Sequence, residues 1–507
     1  MLYPVWNQKG KIIMKALLVY PEHPTTFWSF THALKFINKK SSLPPLGILT
    51  VASMLPNDWE IKLVDMNVNK LKDADLEWSD LVFISAMNIQ KDSTRQVIDR
   101  CKSLGKKIVG GGPLFSTEPE SYGDVDHLLM YEGEVCIPEF LRDFESNSAK
   151  PKYDFVGFPE LCQTPAPAWN LVNLKDYAML SIQYSRGCPF HCDFCNVVSL
   201  FGHKPRIKTV EQILNELNVI YTTGWRGRIF FVDDNFIGNR KSVKQELLPA
   251  IIKWSQERDY PFSFYTEASI NIADDEELMM LMTNAGFDSV FIGIETVDEE
   301  SLAECSKGQN TKRDLVKTVK HIQAHGIQVL GGFILGFDSD KPSVFAEMMD
   351  FIQKSGVITA MVGMLNAPIG TKLFERLKQE GRILDGEFTG SNEMGTNFIP
   401  KMGMDTLVSG YQSVVRTIYD PKNFYERVKI FLENYKPVKH KSKRKGAGFG
   451  SIGAFFKSCL QLGVLSKGRF HYWKLMGWSL SKGMGAFALA VKFSIYGYHF
   501  RLCLDEK

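Results

Sequence analysis

Short apolar runs alternate with helix-length stretches through most of the chain, and the series occurs twice. Between residues 15 and 135 the runs fall at 15–20, 60–64, 81–85, 107–109 and 127–131. Strands of this kind, each followed by room for a helix, predict an α/β domain with a doubly wound parallel sheet of cofactor-binding size. A second series opens at 179–184 and continues at 228–232, 262–266, 289–294, 327–335 and 358–365. Strand–helix units in such a succession predict a partial (β/α)6 barrel, with reactive groups at the C-terminal ends of its strands.

The helix ends are marked in the same pattern. Thr209 with Gln212 forms a capping box ahead of the stripe Ile213, Leu214, Leu217 and Ile220. Asp274 is expected to start a helix that Gly286 stops. Between the two series Pro151, Pro159, Pro165 and Pro167 mark a linker. The division that follows is a sheet domain over 1–145, a linker over 146–178, a barrel over 179–400 and a mainly helical, basic extension over 401–507. Residues 1–13 read as an extension ahead of Met14.

A chain of 507 residues suits two or three cores. Its net charge of +3 conceals a basic tail, since 436–507 hold fourteen Lys or Arg against Asp505 and Glu506. Such a tail fits an anionic membrane surface, nucleic acid or an acidic protein. Aromatic residues interleave with the basic ones after residue 451, as on a single-strand-binding or an interfacial surface. The stretch 484–504 is long enough to span a bilayer, but Lys492 near its middle favours a helix lying on the surface. The segment from Lys436 to Gly450 reads as a solvated arm. With no secretory pattern at the N-terminus, the expected location is the cytoplasm, peripherally on the inner face of the membrane, with nucleic acid the weaker partner. Of nine cysteines, Cys101, Cys136, Cys162, Cys305, Cys459 and Cys503 are scattered singly and form no disulfide framework.

The other three, Cys188, Cys192 and Cys195, converge on one loop directly after the first barrel strand. Soft thiolates suit iron–sulfur clusters or zinc. A structural zinc site closes with four ligands, and His191, the nearest candidate, sits between two of the cysteines. The C-x3-C-x2-C spacing, with Phe194 before the last cysteine, resembles the signature of the radical S-adenosylmethionine (SAM) superfamily. That resemblance implies a 4Fe-4S cluster whose free iron chelates SAM and reduces it to methionine and a 5′-deoxyadenosyl radical, the electron coming from a reduced flavodoxin or ferredoxin. It further implies SAM contacts at Phe194, at Asp233 and Asp234 after the second strand, at Glu267 and Glu295 after the third and fourth, and at Gly331 and Leu335 in the fifth. Asn366 to Thr371 close the sixth strand in the family's manner. Read without the resemblance, the aspartates could cap a helix, the glutamates could form surface ion pairs, and the glycine strand could be plain core.

A small open sheet ahead of such a barrel resembles the cobalamin-dependent radical SAM enzymes, hopanoid C-2 methylase and its relatives among them. The residues that carry this are 43–49, Ser85 and Met87 at one strand end, Gly110, Gly111 and Gly112 at the next, and Glu132 and Glu134 after the last, with glycines letting a flat macrocycle approach backbone. The Asp-x-His-x-x-Gly motif that supplies an axial histidine elsewhere is absent, and His23 reads as a loop residue. The resemblance implies methylation of an unactivated carbon on a small-molecule or lipid substrate held between the domains and under the tail. A non-methylating radical isomerase or cyclase is the alternative, and a tethering protein with a structural metal loop a further one.

Overall fold

The computed structural model describes residues 13–155, 157–384, 395–438 and 449–505. Its first sheet comprises β1 (Lys15–Tyr20), β2 (Glu60–Asp65), β3 (Leu81–Ser85), β4 (Lys107–Gly111), β5 (His127–Leu129) and β6 (Lys152–Tyr153). All pairings are parallel, in the order β2-β1-β3-β4-β5-β6. Helices cover both faces, so central β1 reads as an unbroken apolar run, and Ala16, Leu17, Leu18 and Val19 are wholly buried. The order reverses between β1 and β3, which opens a crevice at their C-terminal ends, the usual ligand position in such sheets. β6 comes from the proline-containing stretch. Its Tyr153 is buried, and the hydroxyl donates to Asp143 at 3.1 Å.

The second sheet contains β7 (Met179–Ile182), then, after the antiparallel pair β8 (Ser185–Arg186) and β9 (Arg206–Ile207), β10 (Arg228–Phe231), β11 (Ser263–Glu267), β12 (Phe287–Glu295), β13 (Gln328–Leu335) and β14 (Ala360–Met364). The parallel order β14-β13-β12-β11-β10-β7 leaves β14 and β7 unpaired with each other, so the barrel is open on one side. The capping box at Thr209 forms. The helix expected to start at Asp274 is Glu276–Ala285, capped by Asp275, with Gly286 left-handed at its end. Asp274 instead pairs with Arg313 at 2.6 Å.

Helices Met404–Tyr419, Pro421–Asn434, Phe449–Ser458, Arg469–Ser481 and Met484–Asp505 follow. The last is not a surface-lying helix. Ala490, Phe493, His499 and Phe500 are wholly buried, and Phe500 packs on Phe27 (5.5 Å) and Tyr419 (4.7 Å). No helix among the described residues is long and apolar enough to cross a membrane. Most of the basic arm, and residues 1–12, lie outside the described residues.

Candidate active site

The cysteine loop hangs from the β8–β9 pair on a glycine hinge. Gly187 has φ +92°, and a Cβ there would stand 2.8 to 3.1 Å from the carbonyl oxygens of Gly202, Phe201 and Lys204, so only glycine fits. The Cys188 N–H donates to Gly202 O (3.3 Å) and the Cys195 N–H to Cys192 O (3.1 Å). The three cysteines are half-buried and unpaired. Burial pushes each thiol up, Cys195 to about 12, while the ammonium of Lys307 pulls each down. Phe194 packs edge-on against Phe337 at 6.2 Å, which ties the loop to the turn after β13. His191 is exposed and meets His203, ring nitrogens 3.1 Å apart.

Four carboxylates gather at this end of the barrel, and they divide into two roles. Asp233 is fully buried and accepts from the N–H groups of Tyr184 and Ser185 and from the Ser185 hydroxyl. Asp234 accepts from the Gly187 N–H. Burial pushes Asp233 up to about 7 and Asp234 up to about 6. Both therefore brace the strand-to-loop turn, their hydrogen bonds offsetting the cost of burial. Burial, then Asp234 and Asp233, push Glu267 up to about 8. Glu295 lies in the left-handed region, φ +65°, at a bulge against β13. Its Oε1 accepts from Lys307 Nζ at 2.7 Å, with both side chains largely buried. Burial opposes the Lys307 charge, yet Glu295, then Cys192, raise its pKa. Gly293 leaves room for this pair, since a Cβ there would collide with the Glu295 carboxylate.

Along β13 the two faces part. A Cβ on Gly331 would meet the Phe333 ring at 2.7 Å, Phe333 packs on Phe351 of the outer helix Val344–Ser355, and Leu335 is wholly buried. Gly331 and Leu335 thus face the helix layer. Strand alternation gives the lumen to Leu330, Gly332 and Ile334, and a Cβ on Gly332 would meet Phe291 at 2.8 Å.

A cavity of about 310 Å³ lies between the C-terminal edge of the first sheet and the barrel. Ser85, Gly111, Gly112 and Glu134 line it from one side, Arg186, Lys208 and Val232 from the other. Gly112 has φ +92°, and a Cβ there would press on Ala86 O and Ser85 Oγ at 3.1 Å. Gly110 and Met87 do not line the cavity: a Cβ on Gly110 would meet the Phe115 ring at 2.9 Å, and Met87 is exposed beyond the strand end. His23 is outside the lining too, its N–H bonded to Asn67 at 3.0 Å. Glu134 pairs with Arg186 at 2.8 Å, and Glu132 holds both Arg186 (2.6 Å) and Arg206 (2.5 Å). Two carboxylates at the start of the helix Gly133–Glu145 thereby grip the β8–β9 pair that carries the cysteine loop.

Known families match the chain in the same order: a B12 binding domain over residues 36–141, the Radical SAM superfamily over 182–352, and a domain of unknown function (DUF4070) over 371–506. The chain is 40% identical to an uncharacterised methyltransferase of Synechocystis over 91% of its length and 86% of that protein. The chain belongs to the cobalamin-dependent radical SAM enzymes. It is also 32% identical to the hopanoid C-2 methylase of Rhodopseudomonas palustris, over 83% of this chain and 80% of the relative. The solved structure of OxsB, a cobalamin-dependent SAM radical enzyme with aqua-cobalamin and SAM bound, superposes with a TM-score of 0.64 at 16% identity, covering 97% of this chain and 80% of that one. The radical SAM methyltransferase TsrM from Kitasatospora setae gives 0.63 at 14% identity, covering 89% and 99%. These two share the fold.

Cobalamin-dependent radical SAM enzymes use a 4Fe-4S cluster, SAM and cobalamin, and the donor sets here fit. Three free thiols on one hinged loop suit a cluster with an open iron. Gly111 and Gly112 form a cradle that side chains would fill. Lys307, Arg206, Arg186 and Gly187 were not among the candidates read from the sequence. Gly187 carried a signal as the residue before the first cysteine; Lys307, in a loop twelve positions after Glu295, carried none.

Proposed function

We propose that this enzyme transfers a methyl group from SAM to an unactivated carbon of an apolar, membrane-resident substrate. The observation that carries the reading is the single cavity that reaches from Gly112 of the first sheet to Val232, the residue after β10 of the barrel. A cofactor in that cradle faces the barrel mouth. When bound, the cluster supplies the electron that cleaves SAM and cobalamin carries the methyl group. Cys188, Cys192 and Cys195 hold the cluster, fed by reduced flavodoxin or ferredoxin. Glu295 and Glu267 hold SAM, with Phe194 supporting the loop beneath it. The protein's own work is to orient the reactants and exclude water, which the buried Asp233, Glu132 and Arg206 do by fixing the loop between the domains.

Exposed apolar side chains support a membrane-resident substrate. Leu460, Leu465, Phe470 and Trp473 are each between 47% and 76% exposed on the C-terminal region, beside Lys467, Arg469 and Lys474. Such a mixture suits an anionic leaflet. The final helix is core, so point changes test this better than truncation. Leu465→Ser with Phe470→Ser should reduce co-sedimentation with phosphatidylglycerol vesicles at least tenfold, and unchanged sedimentation would refute membrane docking. The activity itself is tested with methyl-labelled SAM, an anaerobic reductant and a bacterial lipid extract. Label should appear in the organic phase; deoxyadenosine formed with no labelled product would favour an isomerase or cyclase instead.

A further inference from the structure

A second cavity, of about 670 Å³, lies at the other end of the barrel. Met179, Arg228 and Gln328 border it, and each stands at the N-terminal end of its strand, whereas the cysteine loop and Glu295 follow strand ends. Its roof is the lumen face of Tyr265, Leu330 and Met361, and its far wall is the C-terminal region, through Phe455, Ala488, Lys492 and Tyr496. Two residues beyond Tyr265 on the same face of β11 stands Glu267, about 7 Å further up the lumen. The cavity therefore lies on the axis that leads to the carboxylates beside the cysteines.

Its lining is unusual for a surface exposed to water. Trp28, Ile37, Ile452 and Met484 are between 43% and 70% exposed, and all four border this cavity. Large apolar side chains left open around one hollow mark a site for apolar ligand. Trp28 reaches in from the loop after β1 and packs on Phe291 of the lumen at 5.1 Å. Two cations interrupt the apolar wall. Arg228 is paired with Asp288 at 2.5 Å. Lys492 is half-buried, lies over the Phe493 and Tyr496 rings at 5.5 and 5.6 Å and has no anionic partner among the described residues. An ammonium in apolar surroundings without a counter-charge favours an anionic ligand group and gains little from a neutral one.

We infer that this cavity is the substrate chamber, and that it takes an amphiphile: a lipid-sized hydrocarbon skeleton with one acidic group at Lys492 and its far end pointing up the lumen. The inference rests on the methyl-transfer reading above and deepens it, giving the domain of unknown function the task of building the chamber wall. The acid end stays at the floor, and the carbon to be methylated is the part that reaches past Tyr265.

Binding is read on the holoenzyme without turnover, using 9,10-dibromostearate as a quencher of tryptophan fluorescence and palmitate or hexadecanol as competitors. Cluster and cobalamin content are first matched to wild type. Saturable quenching should be lost in Trp28→Phe. Ala488→Phe, which fills the chamber, should weaken binding at least tenfold, while Gly477→Phe, on an open face of the same region, should not. Lys492→Met should weaken palmitate about tenfold and leave hexadecanol unchanged. Absence of saturable quenching, equal effects of Ala488→Phe and Gly477→Phe, or equal loss of acid and alcohol in Lys492→Met would overturn the inference. Label transfer without saturable binding would defeat the chamber alone, and binding without label transfer would defeat the methyl-transfer reading alone.

Discussion

Carboxylates buried together in this barrel have their titration set first by burial and then by neighbouring groups. Glu267, pushed up to about 8, keeps a proton in the folded state that the unfolded chain releases near the ordinary carboxylate pKa. The folded state therefore binds more protons across that window, and stability declines as pH rises from about 4.5 towards 8. Asp233 contributes in the same sense up to about 7. Glu267→Gln should make the decline shallower in urea midpoints taken from pH 5 to 9 without SAM; a curve parallel to wild type would contradict this. The Glu295–Lys307 pair makes a second residue-scale case. Glu295→Gln leaves a buried ammonium unpaired and should cost about 3–5 kcal/mol, most of it recovered when Lys307→Met is added. A double variant no more stable than the single one in denaturant titration would show that the two side chains do not act as a pair. The cysteines were legible because a motif fixes their spacing, and Glu295 because it ends a strand. Lys307 was not, since a bulge and a left-handed Glu295 bring it back to the site, and neither leaves a mark in sequence. The fifth-strand residues were placed on the right strand but the wrong face, because in a strand buried on both sides apolarity does not distinguish lumen from helix layer.

Elements whose burial is complete announced themselves. β1 and β13 are apolar runs after their first residues, β12 carries one from Val290 to Ile294, and their positions follow from that. β8, β9 and β6 have two residues each, too few for any periodicity, although β8 and β9 carry the arginines that join the domains. The final helix misled for a different reason: aromatic and basic residues suggested an interface, and that interface is with the chain's own Phe27 and Phe30. Arg427 on the helix Pro421–Asn434 is wholly buried; its Nη1 donates to Gln353 at 3.3 Å, Nε and Nη2 have no partner among the described residues, and the Tyr419 and Phe424 rings stand 5.8 and 5.3 Å away. Burial pulls its pKa down to about 10. A charge so poorly compensated is better replaced by a side chain of similar length without one. Arg427→Met should leave thermal stability unchanged or raise it, by up to about 4 kcal/mol; a lowered unfolding midpoint would mean that the guanidinium holds the C-terminal helices in place.

Over the whole molecule, the first sheet presents its crevice to the barrel mouth, and the C-terminal helices close the barrel floor. The order of these parts was readable from the two strand series and the tail's composition. Their mutual placement was not, because it depends on Glu132, Arg186 and Arg206 meeting across 54 and 74 positions of chain. The arrangement sets the cavity beside Gly112 against Arg186 of the strand pair that carries the cysteine loop, which suits an enzyme in which one SAM donates a methyl group and another generates a radical. That chemistry fixes the products. In an anaerobic reaction with reductant, cobalamin and substrate-containing lipid extract, S-adenosylhomocysteine and 5′-deoxyadenosine should form in equal amounts, each matched by one methylated product. Deoxyadenosine accumulating with product while S-adenosylhomocysteine stays at background would contradict methyl transfer by this enzyme.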